Sequence, residues 1–155
     1  MKIQRIYIDT SVIGGCFDPE FEKWSNGLIK DFSNGIYIPV LSEIITIEIN
    51  KAPEFVKLKY TEILELKPEI LAIGDEALEL LQAYTTHNIL GEKFRNDLLH
   101  IAIATVSEVE ILVSWNFKHI VHFDKIMLFN AVNTELGFKP LNIYSPREVT
   151  TYEQD

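Results

Sequence analysis

Four polar positions in this 155-residue chain stand where chemistry could be done. Asp9 closes the short apolar run RIYI and is followed by two hydroxyls, Thr10 and Ser11. Asn116 follows ILVSW, with Ser114 two positions earlier on the same strand face. Asp97 opens the apolar stretch LLHIAIATV, and Glu48 lies near the end of LSEIITIEIN. Each has a plain structural reading when taken alone. Asp97 reads as an N-cap, worth roughly 1 kcal/mol. Glu48 reads as a solvated helix acid and Asn116 as a turn residue. Asp9 is the hardest to dismiss, because an acid at a buried strand end is costly unless something binds it. If Asp9, Glu48 and Asp97 converge, each pair a few ångströms apart repels by roughly 4 kcal/mol at an effective dielectric of 20. Such a cluster takes up protons or binds a cation. Oxygen ligands suit Mg2+ or Mn2+. The site lacks the His and Cys set of a structural zinc centre. Whether the acids converge is a question for the fold.

The elements that would position these residues alternate along the chain. The spacing predicts strands over 5–9 (RIYID), 36–40 (IYIPV), 67–73, 111–115 (ILVSW) and 141–144. Helices are expected over 21–32, 54–65, 75–86, from 96 onward, and over 124–136. The stretch 41–50 is rich in β-branched residues, but Ser42 could cap a helix with Ile44, Ile45 and Ile49 on one side, and helix is favoured. Pro39 argues for a strand end or a sheet edge. Residues 10–15, with Thr10-Ser11 and Gly14-Gly15, read as a break after the first strand, and the chain after Ser145-Pro146 as a polar tail. Strands separated by helices of ten or more residues imply crossovers, hence an α/β fold with a mainly parallel sheet covered by helices. Ligands in such folds bind beyond the carboxyl ends of the strands.

Composition bounds the rest. Apolar residues make up 47% and charged residues 24% of the chain, which fits one globular domain over residues 1–155. No apolar run reaches the roughly 18 residues that span a bilayer, and the N-terminus does not read as a signal peptide. The single cysteine, Cys16, excludes a disulfide framework and points to a cytoplasmic setting. With 14 Lys+Arg against 23 Asp+Glu the net charge is −9, unlike a protein that holds nucleic acid mainly by neutralising phosphates. It does not exclude a local nuclease site, since such sites are built from acids that hold metal ions.

Four segments, IYIDTSVIGG, LSEIITIEI, NDLLHIAIAT and ILVSWNFKHIV, occur in an order and at a spacing that resemble PIN-domain proteins of the VapC-like toxin ribonuclease type. The resemblance covers nearly the whole chain. It implies a PIN-like three-layer α/β/α sandwich and metal-dependent cleavage of RNA. It also implies a partner antitoxin protein and a homodimer, and no membrane. By resemblance Asp9 matches the first acid of the site, Glu48 the helix glutamate and Asp97 the third acid, with Glu43 the alternative to Glu48. The chain departs from the pattern at the fourth acid, where it carries Asn116. An amide oxygen can still ligate Mg2+ or bond a metal-bound water, but it brings no charge.

The remaining polar residues have mixed expectations. His100 reads as a satisfied core histidine, and His119 and His122 as solvated or as phosphate contacts. Lys93, Arg95, Lys118 and Lys125 could form a positive rim around an acidic pocket. Trp115 could stack a base or pack the sheet edge, and Leu78, Leu81 and Tyr84 read as core or dimer surface. Two further functions compete on the residues alone. A non-catalytic module of the same fold would bind RNA or protein. A phosphatase of the haloacid-dehalogenase type would need an acid two residues after Asp9, where Ser11 stands, and a phosphoacceptor receiver domain would need a paired acid at the first strand and a suitably placed lysine, neither of which is evident.

Overall fold

The computed structural model describes residues 2–153. Five strands, β1 (Arg5–Ile8), β2 (Ile38–Ser42), β3 (Glu69–Leu71), β4 (Ile111–Val113) and β5 (Asn142–Tyr144), form one sheet in the order β3-β2-β1-β4-β5. Every neighbouring pair is parallel. Side chains on β1 alternate between the two faces, as the period of two requires. Ile6 and Ile8 join the core that includes Leu28, Ile45 and Ile63, whereas Tyr7 joins the one that includes Leu80, Ala102 and Phe129. The first core packs α1 (Thr10–Gly15), α2 (Glu22–Ser33), α3 (Glu43–Ile49), α4 (Glu54–Leu64) and α8 (Pro146–Val149) on one face. The second packs α5 (Asp75–Thr86), α6 (Arg95–Val106) and α7 (Phe123–Glu135) on the other. The result is a three-layer α/β/α sandwich. Among the described residues no helix is long and apolar enough to cross a membrane.

The expected elements are present with shifted ends, and three expectations need correction. Residues 10–15 are not a break but α1. Gly15 is there because α1 lies close against α2 and the residue after β4: a Cβ on it would stand 2.6 Å from both Ser25 Oγ and Trp115 Nε1. Pro39 lies in an interior strand, paired with Ile6 of β1 rather than at an edge. Its missing N–H removes one possible ladder bond and no more. The chain after Ser145 is not all tail, because Pro146–Val149 forms a helical turn. In the ambiguous stretch, Leu41 and Ser42 finish β2 and the helix begins at Glu43.

The chain builds outward from β1 through β2 to β3, then crosses to the other side of β1 for β4 and β5. The winding direction therefore reverses between β1 and β4. A crevice opens beyond the carboxyl ends of the strands at such a switch point. Asp9 follows β1 and Ser114 to Asn116 follow β4, so the two segments meet there.

Candidate active site

Asp9 leaves β1 in extended conformation, at φ −92° and ψ 178°, and occupies the N-cap position of α1. Its carboxylate does not cap that helix. Oδ1 accepts the Ser11 hydroxyl at 2.6 Å and Oδ2 accepts the Ser114 hydroxyl at 2.6 Å. The two serines are fixed in turn. Ser11 Oγ accepts the Trp115 N–H at 2.9 Å, and Ser114 Oγ accepts the Asn116 N–H at 2.9 Å. The turn after β4 is thus tied to the turn after β1 through hydroxyls. Asp9 is 5% exposed. Burial raises its pKa above the ordinary 3.8; His100 and the two serine hydroxyls pull it down and nearby Glu48 pushes it up.

Glu48 reaches the same end of the sheet from α3. Its Oε1 accepts the Thr10 hydroxyl at 2.8 Å and the His100 Nε2–H at 2.7 Å. Burial works to raise its pKa, but the hydrogen bond and charge of His100, with Thr10, outweigh it and leave the pKa lowered. Behind Glu48 the polar chain runs inward. His100 Nδ1 lies 2.6 Å from the Tyr7 hydroxyl, which lies 2.7 Å from Ser42 Oγ. Ser42 sits at the N-cap of α3 without capping it, because its hydroxyl serves Tyr7. Burial keeps the Tyr7 phenol protonated far beyond physiological pH. Glu43 is exposed and accepts the Ile73 N–H at 3.2 Å, away from this chain of groups.

Asp97 is the third residue of α6, and Phe94 occupies the N-cap position. The capping role is therefore absent. Its Oδ2 accepts Asn116 Nδ2 at 3.3 Å and His119 Nδ1 at 3.1 Å. Asn116 completes a closed arrangement by accepting the His119 backbone N–H at 2.9 Å. A continuous hydrogen-bonded path thus runs from Asp9 through Ser114 and Asn116 to Asp97. The four positions picked out by sequence belong to two hydrogen-bonded networks, brought side by side at one end of the sheet by the consecutive residues Asp9 and Thr10. The three acids are spaced by hydroxyl, imidazole and amide groups rather than packed together. Among the described residues no three Asp, Glu, His or Cys side chains lie close enough to share one metal ion.

That spacing decides which ion the donors suit. A closed cage of the zinc type needs three or four protein ligands. Mg2+ keeps several waters and needs only one or two carboxylates besides substrate phosphates. Asp9 offers a buried charge with no Lys or Arg bonded to it, and each of its oxygens keeps a second lone pair. The donors therefore fit a hydrated Mg2+ or Mn2+.

One histidine of the site was read otherwise from sequence, and the partner of another was not foreseen. His100 is a buried core histidine as expected, yet its partner is Glu48. His119 is 9% exposed rather than solvated, with its ring 3.8 Å from that of Phe94. The signal available was spacing: Asp97 and His100, and Asn116 and His119, are each three residues apart. Trp115 packs, stacked on Phe21 at 4.1 Å with its Nε1 on Ser25 Oγ at 2.7 Å. Of the basic residues, Lys125 is tied to the Ile89 carbonyl at 2.8 Å and Lys93 lies over the Phe94 ring. Arg95 and Lys118 are exposed, as is His122. Leu81 and Tyr84 are core, and Leu78 faces out.

Neither a protein-family model nor the sequence of a curated protein matches the chain. Solved structures match it. VapBC2 from Rickettsia felis, solved bound to a DNA fragment from its promoter, aligns over 91% of this chain and 98% of that one, at 17% identity and a TM-score of 0.58. FitAcB from Neisseria gonorrhoeae aligns over 93% and 99%, at 16% identity and a TM-score of 0.59. Mycobacterium tuberculosis VapC20, a sarcin–ricin loop cleaving toxin, aligns over 88% and 98%, at 9% identity and a TM-score of 0.50. Together with the all-parallel sheet and the site at its switch point, these alignments give the chain the fold of the VapC-like PIN-domain toxins.

Proposed function

We propose that the protein is a metal-dependent endoribonuclease that cleaves single-stranded RNA, acting as the toxin of a toxin–antitoxin pair. The observation that supports it most is the buried Asp9 carboxylate at the switch point, flanked by Glu48 and bonded only by neutral hydroxyls. Asp9 would hold a Mg2+ or Mn2+ ion, with Asp97 and Glu48 acting directly or through its waters. A divalent ion bound there supplies a water of lowered pKa and neutralises charge on a scissile phosphate. Ser11 and Ser114 keep the Asp9 carboxylate in one orientation, and His100 and Thr10 do the same for Glu48. Asn116 holds Asp97. An exposed single-stranded backbone reaches such a recessed acidic site more easily than a duplex does. The likeness in fold to VapC20, described as a cleaving toxin, and to VapBC2 and FitAcB supports the choice of RNA and of an antitoxin protein as partners. A homodimer belongs to the same reading, with exposed Phe123 and Met127 on α7 as apolar surface for it.

The test is cleavage of a fluorescent single-stranded RNA in Mn2+, with EDTA and Asp9→Asn as controls. Cleavage abolished by both supports the reading, and cleavage untouched by either overturns it. A second reading has its own observation. Asn116 stands where a fourth acid would, which favours a non-catalytic module that binds RNA or protein. Protein that retains RNA on a filter but never cuts it, with Mn2+ present, would select that alternative.

A further inference from the structure

Asp97 is held by an unusual pair. Two side chains from the segment after β4 donate to the same oxygen, Oδ2: Asn116 through Nδ2 at 3.3 Å and His119 through Nδ1 at 3.1 Å. Neither donor is free to turn. The Asn116 amide must present Oδ1 to the His119 N–H at 2.9 Å, which fixes its Nδ2 toward Asp97. The His119 ring lies against Phe94, with centroids 3.8 Å apart, and Phe94 stands at the N-cap of the helix that carries Asp97. A carboxylate accepts and cannot donate, so the Asp97 bond places a proton on His119 Nδ1. Asp97 itself is only partly buried, its side chain 23% exposed.

We propose that His119 and Asn116 are positioning residues for Asp97: together they fix its carboxylate in the orientation in which it serves a bound divalent ion. The inference rests on the proposed metal-dependent function. Partners that orient a ligating carboxylate typically change metal affinity 10–100-fold when removed.

Calorimetry with Mn2+ on the full chain tests this without reference to cleavage. The unaltered protein is expected to bind Mn2+. His119→Ala and His119→Phe are expected to weaken binding by about tenfold or more, since both remove the Nδ1 donor. The Phe variant keeps a ring against Phe94, so a merely packing role would leave its affinity unchanged. His119→Asn puts an amide N–H near the Nδ1 position and is expected to restore affinity to within about threefold of the unaltered protein. Histidine 15N shifts of the metal-free unaltered protein, read above the histidine titration range, are expected to show the Nδ1–H tautomer for His119. An unchanged His119→Phe affinity or an Nε2–H tautomer would each overturn the inference while leaving the ribonuclease reading intact. No Mn2+ binding by the unaltered protein would take down both.

Discussion

The two ends of the sheet treat their acids in opposite ways. At the amino end, Arg5 grips the Glu69 carboxylate from Nε at 3.0 Å and from Nη2 at 2.8 Å. Lys2 pairs with Glu110 at 2.9 Å, and the Arg5 backbone N–H donates to the same glutamate at 2.7 Å. Each negative charge there meets a permanent positive one. At the carboxyl end, among the described residues, Asp9, Glu48 and Asp97 bond to hydroxyls, imidazoles and an amide, and to no Lys or Arg. Hydroxyl and amide donors fix geometry without cancelling charge. The acids of the first group join strands, whereas those of the second keep a field that a cation or a phosphate-bound cation can use. A carboxylate's partners, more than its burial, tell the two uses apart.

The sharpest way to break this comparison is to remove one acid from each end. Asp9→Asn is expected to lower RNA cleavage by about a hundredfold or more, since a misplaced ion forfeits several kcal/mol of barrier lowering at 1.36 kcal/mol per tenfold. It should leave the melting temperature unchanged or higher. Glu69→Gln should leave cleavage unchanged and cost at most about 1 kcal/mol, because a half-exposed ion pair is weak. Cleavage assays and melts on the two variants check both ends. Equal losses of activity would erase the distinction.

Asp31 sharpens the rule, because it too is buried and has neutral donors. At 3% exposure it accepts the Thr150 hydroxyl at 2.8 Å, the Thr151 N–H at 2.9 Å and the Thr151 hydroxyl. All three come from one segment near the C-terminus, so they tie a chain end to a helix, whereas the donors to Asp9 come from the segments that follow two strands. The same segment covers Gly27, whose missing side chain leaves room for Tyr152 and Thr150. Asp31 therefore clasps the chain end onto α2. Asp31→Ala is expected to lose about 3 kcal/mol, the scale of leaving buried donors without their charged acceptor. For a chain of this size that is roughly a 10 °C lower melting temperature. Cleavage below the melt should be unaffected, and a loss of activity in fully folded protein would refute the assignment of Asp31 to structure alone.

The sequence made this architecture legible where local pattern and fold agree. The β-rich runs ending at Asp9 and at Trp115 read directly as strands, and the all-round apolar α6 read as buried, because periodicity reports the faces an element must cover. The strand order then placed Asp9 and Asn116 side by side. α1 was hidden, because TSVIGG carries two glycines and looks like a turn; its helix depends on Gly15 packing against Trp115, a contact across 100 residues. The roles of His100 and His119 were hidden for a similar reason. The Glu48 to His100 and Asp97 to His119 bonds join elements far apart in the chain, and a single histidine carries no local mark of its partner. Glu48 could be preferred to Glu43 only by resemblance, until α3 set Glu43 facing out toward Ile73.

Adding a charge at the carboxyl end gives a smaller effect. Asn116→Asp keeps the acceptor for the His119 N–H but replaces the donor to Asp97 with a second carboxylate. In metal-free protein the variant is expected to lose about 1 kcal/mol, partly screened because Asp97 is not fully buried. Saturating Mn2+ should recover that loss, and calorimetry should show tighter binding than in the unaltered protein. Melts with and without Mn2+ read the difference directly. A variant as stable as the unaltered protein without metal would mean that Asp97 and position 116 do not sense each other.

The smallest effect is a pH dependence, and its sign separates Asp9 from Glu48. Burial raises the Asp9 pKa above 3.8, so folding favours its protonated form. That group contributes stability at low pH and loses it as pH rises through the raised pKa. Glu48 is the reverse: its lowered pKa contributes stability above the ordinary 4.5 and loses it as pH falls through the folded value. Asp9→Asn mimics the neutral acid at every pH. Its melting temperature should therefore exceed that of the unaltered protein near pH 8, and the gap should close as pH approaches 4. Glu48→Gln should show the opposite trend, with a deficit near pH 8 that shrinks on acidification. Melts of the three proteins without metal across that range measure both gaps. An Asp9→Asn gap that widens toward acid would mean that the hydroxyls and His100 outweigh burial, and that the Asp9 charge is satisfied by the protein alone.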